Sequence, residues 1–205
     1  MPNMVVAGQV GPQQAAGAGV AFRQELSGAL VVQELNGRYY EQASRGGLFT
    51  ARASAVALST AAAAMVGLIL WNPGPKNLAL LKASGSIFVT SATATGIVLA
   101  VSSAPAQVSA PTGQTAISRV GNNLIGGAPP QGQAMNAGTL VAAPVAAWDL
   151  LHNTAAIAVT GEDPGFQMDF EGAIVLPANT VACFAALGAA VAAGGANLSL
   201  MWQEI

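Results

Sequence analysis

Apolar residues along this chain fall in short runs divided by turn-forming residues, and few of them recur at helical spacing. The C-terminal third is clearest. After Pro177-Ala178-Asn179, a turn, comes the run "TVACFAAL" (180–187), then a Gly-rich turn "AAGGAN" (192–197), then "LSLMWQEI" (198–205). In the last run Leu198, Leu200 and Trp202 alternate with Ser199, Met201 and Gln203, the period of a half-buried strand. The same logic predicts strands over 46–59, 65–72, 76–89 and 95–103. In the first, Leu48, Thr50 and Arg52 take one face and Phe49 and Ala51 the other. In the third, Leu78, Leu80, Lys82 and Ser84 oppose Ala79, Leu81 and Ala83, with Gly85 marking a bulge or bend. "NPGP" (72–75) reads as the turn of a hairpin, so the runs around it form a meander or part of a Greek key.

Weaker patterns fill the remainder. "GALVVQEL" (28–35) and "GRYYEQAS" (37–44) read as strands broken at Asn36-Gly37. Residues 104–147 are rich in Pro, Gly, Gln and Ala and read as long partner-contacting loops around the short strands "TAISRV" and "GTLVAA". "TAAIAVT" regains strand character and "GEDPG" turns into "FQMDFEGAIVL" (166–176). Helix is expected for one or two short turns at most, with "PVAAWDLLHN" (144–153) the best candidate.

Composition changes the picture more than any motif. Only 8% of residues are charged, 53% are hydrophobic, and the formal net charge is −2. A surface with so little charge belongs to a membrane protein or to one covered by partners. Ala53 to Pro75 carries no charge, but its middle is "STAAAA" and no basic excess flanks it, so two strands are the better reading than a spanning helix. The seven basic residues are scattered, which argues against nucleic acid. The first residues lack the basic and apolar regions of a secretory signal. Residues 1–20 offer Val5, Val6 and Val10 as sizeable anchors besides Met1, Met4 and the terminal Val20, and read as an extended arm ordered by a partner. Residues 21–205 read as a single β-sandwich domain.

Candidate chemistry is sparse. His152, the one histidine, follows Asp149 by three residues, a spacing that would orient an imidazole only on a helix, and no nucleophile motif accompanies it. Glu162, Asp163, Asp169 and Glu171 form an acidic stretch without calcium-loop spacing, read as a solvated loop. "GNNLIGGAPP" has glycines but no lysine, so no phosphate cradle is expected. Cys183 lies in an apolar run and reads as a small buried hydrophobe. Tyr39, Tyr40 and Trp71 are candidates to stack on sugars or to anchor a core or interface. No catalytic residue, metal site or cofactor is implied, and an enzyme is not expected.

Three stretches together resemble a known group: "GRYYEQASRGGLFTA", "LILWNPGPKNLALLKAS" and the terminal "GAIVLPANTVACFAAL…NLSLMWQEI". They are similar to small structural proteins of tailed bacteriophages, over about residues 37–101 and 171–205. The resemblance implies an all-β fold, a jelly-roll-like antiparallel sandwich, acting as a virion component made in the host bacterial cytoplasm. On that basis the expected role is a capsid decoration or cement protein on the head surface, a homotrimer bound to the major capsid protein lattice. The expected interface anchors are Val5, Val6, Val10, Phe22, Tyr39 and Tyr40. A receptor- or glycan-binding tail, fibre or collar module is the alternative.

Overall fold

A computed structural model describes residues 39–87, 95–115, 119–152 and 165–205. One helical turn, α1 (Tyr40–Ser44), leads into β1 (Leu48–Leu58), β2 (Ala64–Asn72), β3 (Leu78–Ile87), β4 (Thr95–Val101), β5 (Thr112–Thr115), β6 (Arg119–Asn122), β7 (Gln133–Thr139), β8 (Val145–His152), β9 (Gly165–Leu176), β10 (Thr180–Gly188) and β11 (Val191–Glu204). The strands form two antiparallel sheets, β6-β1-β11-β3-β9 and β5-β7-β2-β10-β4-β8. The all-β sandwich expected from the pattern is therefore present. Its topology is also legible. The first four strands pair in reverse order with the last four, as β1 with β11, β2 with β10, β3 with β9 and β4 with β8. Successive members of that ribbon alternate between the sheets, which is jelly-roll winding. Strands β5 to β7 are an insertion that extends both sheets on one side.

The two sheets differ in how they meet water. In the five-stranded sheet Phe49, Ala51, Ala53, Leu198, Leu200 and Trp202 are buried, whereas Arg52 is exposed and Thr50, Ser199 and Gln203 are partly so. This is the alternation of a sheet with one solvated face. The central strands of the six-stranded sheet are buried on both faces. Leu68, Leu70, Ile97, Leu99, Ala182 and Phe184 join the core between the sheets. Their neighbours Met65, Ile69, Trp71, Val98, Ala100, Val181, Cys183 and Ala185 form a second apolar cluster with Met135 and Leu140. That is why "TVACFAAL" is a continuous apolar run and not an alternating one. Phe49 stacks on Trp202 at 5.9 Å between ring centroids and Phe166 lies 6.2 Å from Phe184.

Several local expectations are overturned. "NPGP" does reverse the chain, but β2 and β3 lie in different sheets, so it is an arch between sheets and not a hairpin, and the meander is absent. Turn residues dictate a reversal; which sheet receives the next strand is decided by long-range pairing. The part of "GRYYEQAS" that is described is helical at Tyr40–Ser44. Ala43 N–H donates to the Tyr39 carbonyl, and Gly46, at φ 71°, ends the turn as a left-handed cap. Val145–His152 of "PVAAWDLLHN" is strand β8, recruited by the edge of β4, which overrides the helical propensity of its Ala and Leu. "AAGGAN" lies inside β11, and the turn sits earlier, at 189–190. Between the pairs Val56↔Ala196 and Leu58↔Val191 the two strands differ by three residues, an irregularity that the glycines accommodate. Gly85 interrupts no register. A Cβ there would stand 2.6 Å from the Asn197 carbonyl and 2.9 Å from the Phe166 ring, so close packing explains the glycine. "GTLVAA" leaves the sheet after Thr139.

Candidate assembly surfaces

Of the expected interface anchors, Val5, Val6, Val10 and Phe22 lie outside the described residues, as does the expected arm. Tyr39 lies beside the edge of the five-stranded sheet, its hydroxyl 3.3 and 3.4 Å from the two carboxylate oxygens of Asp169. Tyr40 follows on α1 and is exposed. Trp71 cannot stack on a ligand: it is buried and its indole N–H donates to the Gln107 carbonyl at 2.9 Å. His152 ends β8, and with that segment extended Asp149 no longer has the helical spacing that would orient the ring. Asp169 and Glu171 flank a bulge on β9, where Glu171 and Gly172 take positive φ. Burial pushes the Cys183 thiol up to about 12, which makes it inert at neutral pH. Among the described residues no group of three or more His, Cys, Asp or Glu could hold a metal ion, and no helix is long and apolar enough to cross a membrane.

Residues from two of the three stretches that carry the phage resemblance meet at one corner with the inserted loop. Asn72, fully buried, donates from Nδ2 to the carbonyls of Lys76 (2.8 Å) and Leu176 (2.9 Å). Its Oδ1 accepts from Gly74 N–H and from Gln131 Nε2, both at 2.9 Å. The Glu204 carboxylate accepts from the backbone N–H of Gln131 and Gly132, and its other oxygen lies 3.7 Å from Lys76 Nζ. Asn179 N–H donates to the Asn72 carbonyl, and Asn77 and Ile205 exchange two backbone bonds. One polar knot therefore ties the β2–β3 arch, the β9–β10 turn, the inserted loop and the end of β11. Its hydrogen-bonding groups are turned on one another, so it holds the turns and the end of β11 together.

The inserted segment supplies the cover for the second apolar cluster. Besides taking the Trp71 bond, Gln107 accepts from Val141 N–H at 2.8 Å and donates to Ser109 at 2.7 Å, lashing 102–111 to 140–143. This cover is itself apolar outside: Val108 is 72% and Val141 61% exposed.

Two further features are missed by the sequence reading. A groove of about 370 Å³ opens where β8 and β9, the edges of the two sheets, lie side by side. Val101, Pro105, Trp148, Ala173, Val175 and Pro177 supply half of its lining residues, Ser102, Ser103 and Thr180 are its polar ones, and nothing lining it is charged. Trp148 is 42% exposed and Val175 45%. At the opposite edge the turn after β6 holds out Ile125, 96% exposed, beside Leu124. Asn122 fixes this turn by donating to the Gly46 and Ala128 carbonyls and accepting from Leu124 N–H, while Asn123 N–H donates to the Leu48 carbonyl. Trp148 was hidden in a segment whose Ala and Leu suggested a helical turn, and Ile125 in a loop valued only for its glycines. The charged groups Arg52, Lys82 and Asp169 gather instead on the five-stranded sheet, where Lys82 pairs across strands with Asp169.

The fold is a jelly-roll-like antiparallel β-sandwich. No protein-family model, curated protein or solved structure matches the chain.

Proposed function

We propose that this chain is a structural virion protein of a tailed phage, a decoration or cement protein that binds the assembled head as a homotrimer. The observation that carries the reading is the distribution of polarity. Val108 and Val141 are exposed on the cover of the six-stranded sheet and Ile125, Trp148 and Val175 at the sheet edges, while Arg52, Lys82 and Asp169 lie on the five-stranded sheet and Asp149 stands alone on β8. A protein that spends its working life against its own copies and a shell tolerates such surface. In this reading the uncharged cover of the six-stranded sheet faces the shell and the charged sheet faces solvent. Stabilisation follows from mass action: the protein binds the lattice and not free shell subunits, so each copy favours the assembled state. Two of the three phage-like stretches join in one structural knot, which fits their reading as parts of one architecture.

The test is mass spectrometry of purified particles with copy counting, and heat release of packaged DNA with and without the protein. Hundreds of copies and a lowered release temperature in its absence are expected. A few to dozens of copies at a collar or tail would sink the shell role. Trp148 gives a receptor- or glycan-binding module a foothold, since an exposed indole over an uncharged groove can stack on a sugar. Trp71 and Trp202 are buried, so quenching or a shift of the exposed tryptophan's emission on titration with host oligosaccharides would favour that second reading.

A further inference from the structure

We infer that copies of this chain associate head to tail, the Leu124-Ile125 turn of one entering the Trp148–Val175 groove of the next, and that the contact closes a ring. The inference uses only the self-association part of the proposed function and does not depend on where the protein sits on a particle.

The argument is geometric. The turn lies at the β6 edge of the five-stranded sheet and the groove at its β9 edge. They lie at the same height along the strands. One cross-strand row runs from Leu48 on β1 to Gln203, then Ala79, then Val175 on β9. At its other end, Asn123 N–H binds the Leu48 carbonyl, one residue before Leu124. The span from β6 to β9 is four strand spacings, about 19 Å. A knob and a hole on opposite edges make a heterologous contact, which polymerises unless a rotation closes it. Equal height keeps the offset along the strands small, as closure of a ring requires.

Chemistry fits the same occupant. Ile125 and Leu124 are uncharged and apolar, the groove is uncharged and its wall mainly apolar, and about 370 Å³ accepts a branched side chain with its neighbour. The knob is also preorganised. Gly126 takes φ 83° and Gly127 N–H donates to the Leu124 carbonyl, so no loop ordering has to be lost on docking. An isoleucine held almost fully in water by three side-chain bonds from one asparagine costs the isolated protein and gains it nothing.

Sedimentation velocity on the full chain tests this with Ile125→Asp, which spoils the knob, and Val175→Asp, which spoils the groove. Wild type is expected as a closed oligomer, and each variant alone as monomer with at least a tenfold higher dissociation concentration. Mixed in equal amounts, the two variants retain one good knob and one good groove. They should form a dimer containing one copy of each, seen by labelling one of them. Wild type monomeric at 100 µM, variants associating like wild type, or a mixture without the mixed dimer would each overturn the inference. Circular dichroism and urea midpoints check folding, and Trp148→Ser replaces Val175→Asp as the groove variant if the latter unfolds. If rings form as described but purified particles lack the chain, the virion reading fails and this one stands; the converse result separates them in the other direction.

Discussion

Replacing Asn72 with alanine removes the centre of the corner knot while leaving both apolar clusters intact. Four hydrogen bonds are lost: two donated to the Lys76 and Leu176 carbonyls and two accepted from Gly74 and Gln131. The bond to Leu176 is buried, and leaving that carbonyl unpaired costs about 1–3 kcal/mol. The other three are partly buried, so water recovers much of each and they contribute roughly 0.5 kcal/mol apiece. The sum is about 3 kcal/mol, equivalent to a fall in Tm of roughly 6–12 °C for a body of this size. Asn77→Ala is the matched control. It lies in the same motif, but the bonds described for it, with Ile205, are backbone ones, so the change should stay within about 0.5 kcal/mol. Urea unfolding at equal protein concentration measures both, and the slope m should not change. If Asn72→Ala matches wild type, or Asn77→Ala is as costly, the motif does not act through this side chain and the corner knot is not what this stretch contributes to the fold.

Further outcomes follow from other sites. Cys183 should resist thiol reagents in the native protein at pH 8, where a thiol raised to about 12 is ionised in roughly one molecule in ten thousand, and should react fully once urea unfolds the chain. Because that pKa is raised by burial, the native fold is stabilised relative to the unfolded thiolate only below the ordinary thiol range; stability should fall as pH rises from about 9 towards 12, and Cys183→Ala should abolish that component. Gly67→Ala should destabilise by about 2–4 kcal/mol by the usual scale of strained or overpacked core sites, since φ is 137° and a Cβ would stand 2.7 Å from the Phe184 carbonyl; thermal denaturation reads it. Trp71→Phe should loosen the inserted cover by removing its bond to Gln107, seen as faster limited proteolysis within 102–111. Deleting residues 1–20 should leave the sandwich's circular dichroism unchanged and weaken particle attachment; loss of folding would place those residues in the core.

Where the chain's own side chains decide local geometry, the sequence was a good guide. Leu198, Leu200 and Trp202 alternate and are all buried; the turn at Pro177-Ala178-Asn179 is present, with Asn179 at φ 64°. Cys183 is the buried hydrophobe its run suggested. What could not be read is what depends on distant partners. "NPGP" specifies a reversal equally well within a sheet or between sheets. The residues of "PVAAWDLL" carry no preference strong enough to resist the free edge of β4, and its exposed Trp148 then goes unnoticed. The continuous apolar character of β2, β4 and β10 was a signal that both faces are covered, and its meaning emerges only with the second cluster in view. The candidate surfaces were less legible still. A knob and a groove become a pair only when one row of strands puts them at equal height.

The strand order has a consequence for how the protein is made. β11 lies in the middle of the five-stranded sheet, between β1 and β3, yet it is the last of the sandwich's strands in the chain. Until it leaves the ribosome, Phe49, Ala51 and Leu80 have no neighbour on that side to close over them. At ordinary elongation rates of roughly 5–20 residues per second, the interval between completing β1 and beginning β11 is about 7 to 27 seconds. Nascent chains thus carry two unsatisfied apolar strand edges for that time, long compared with hairpin formation. Production of the protein in quantity would then draw on chaperones, and its yield would respond to translation speed more than to the stability of the finished fold.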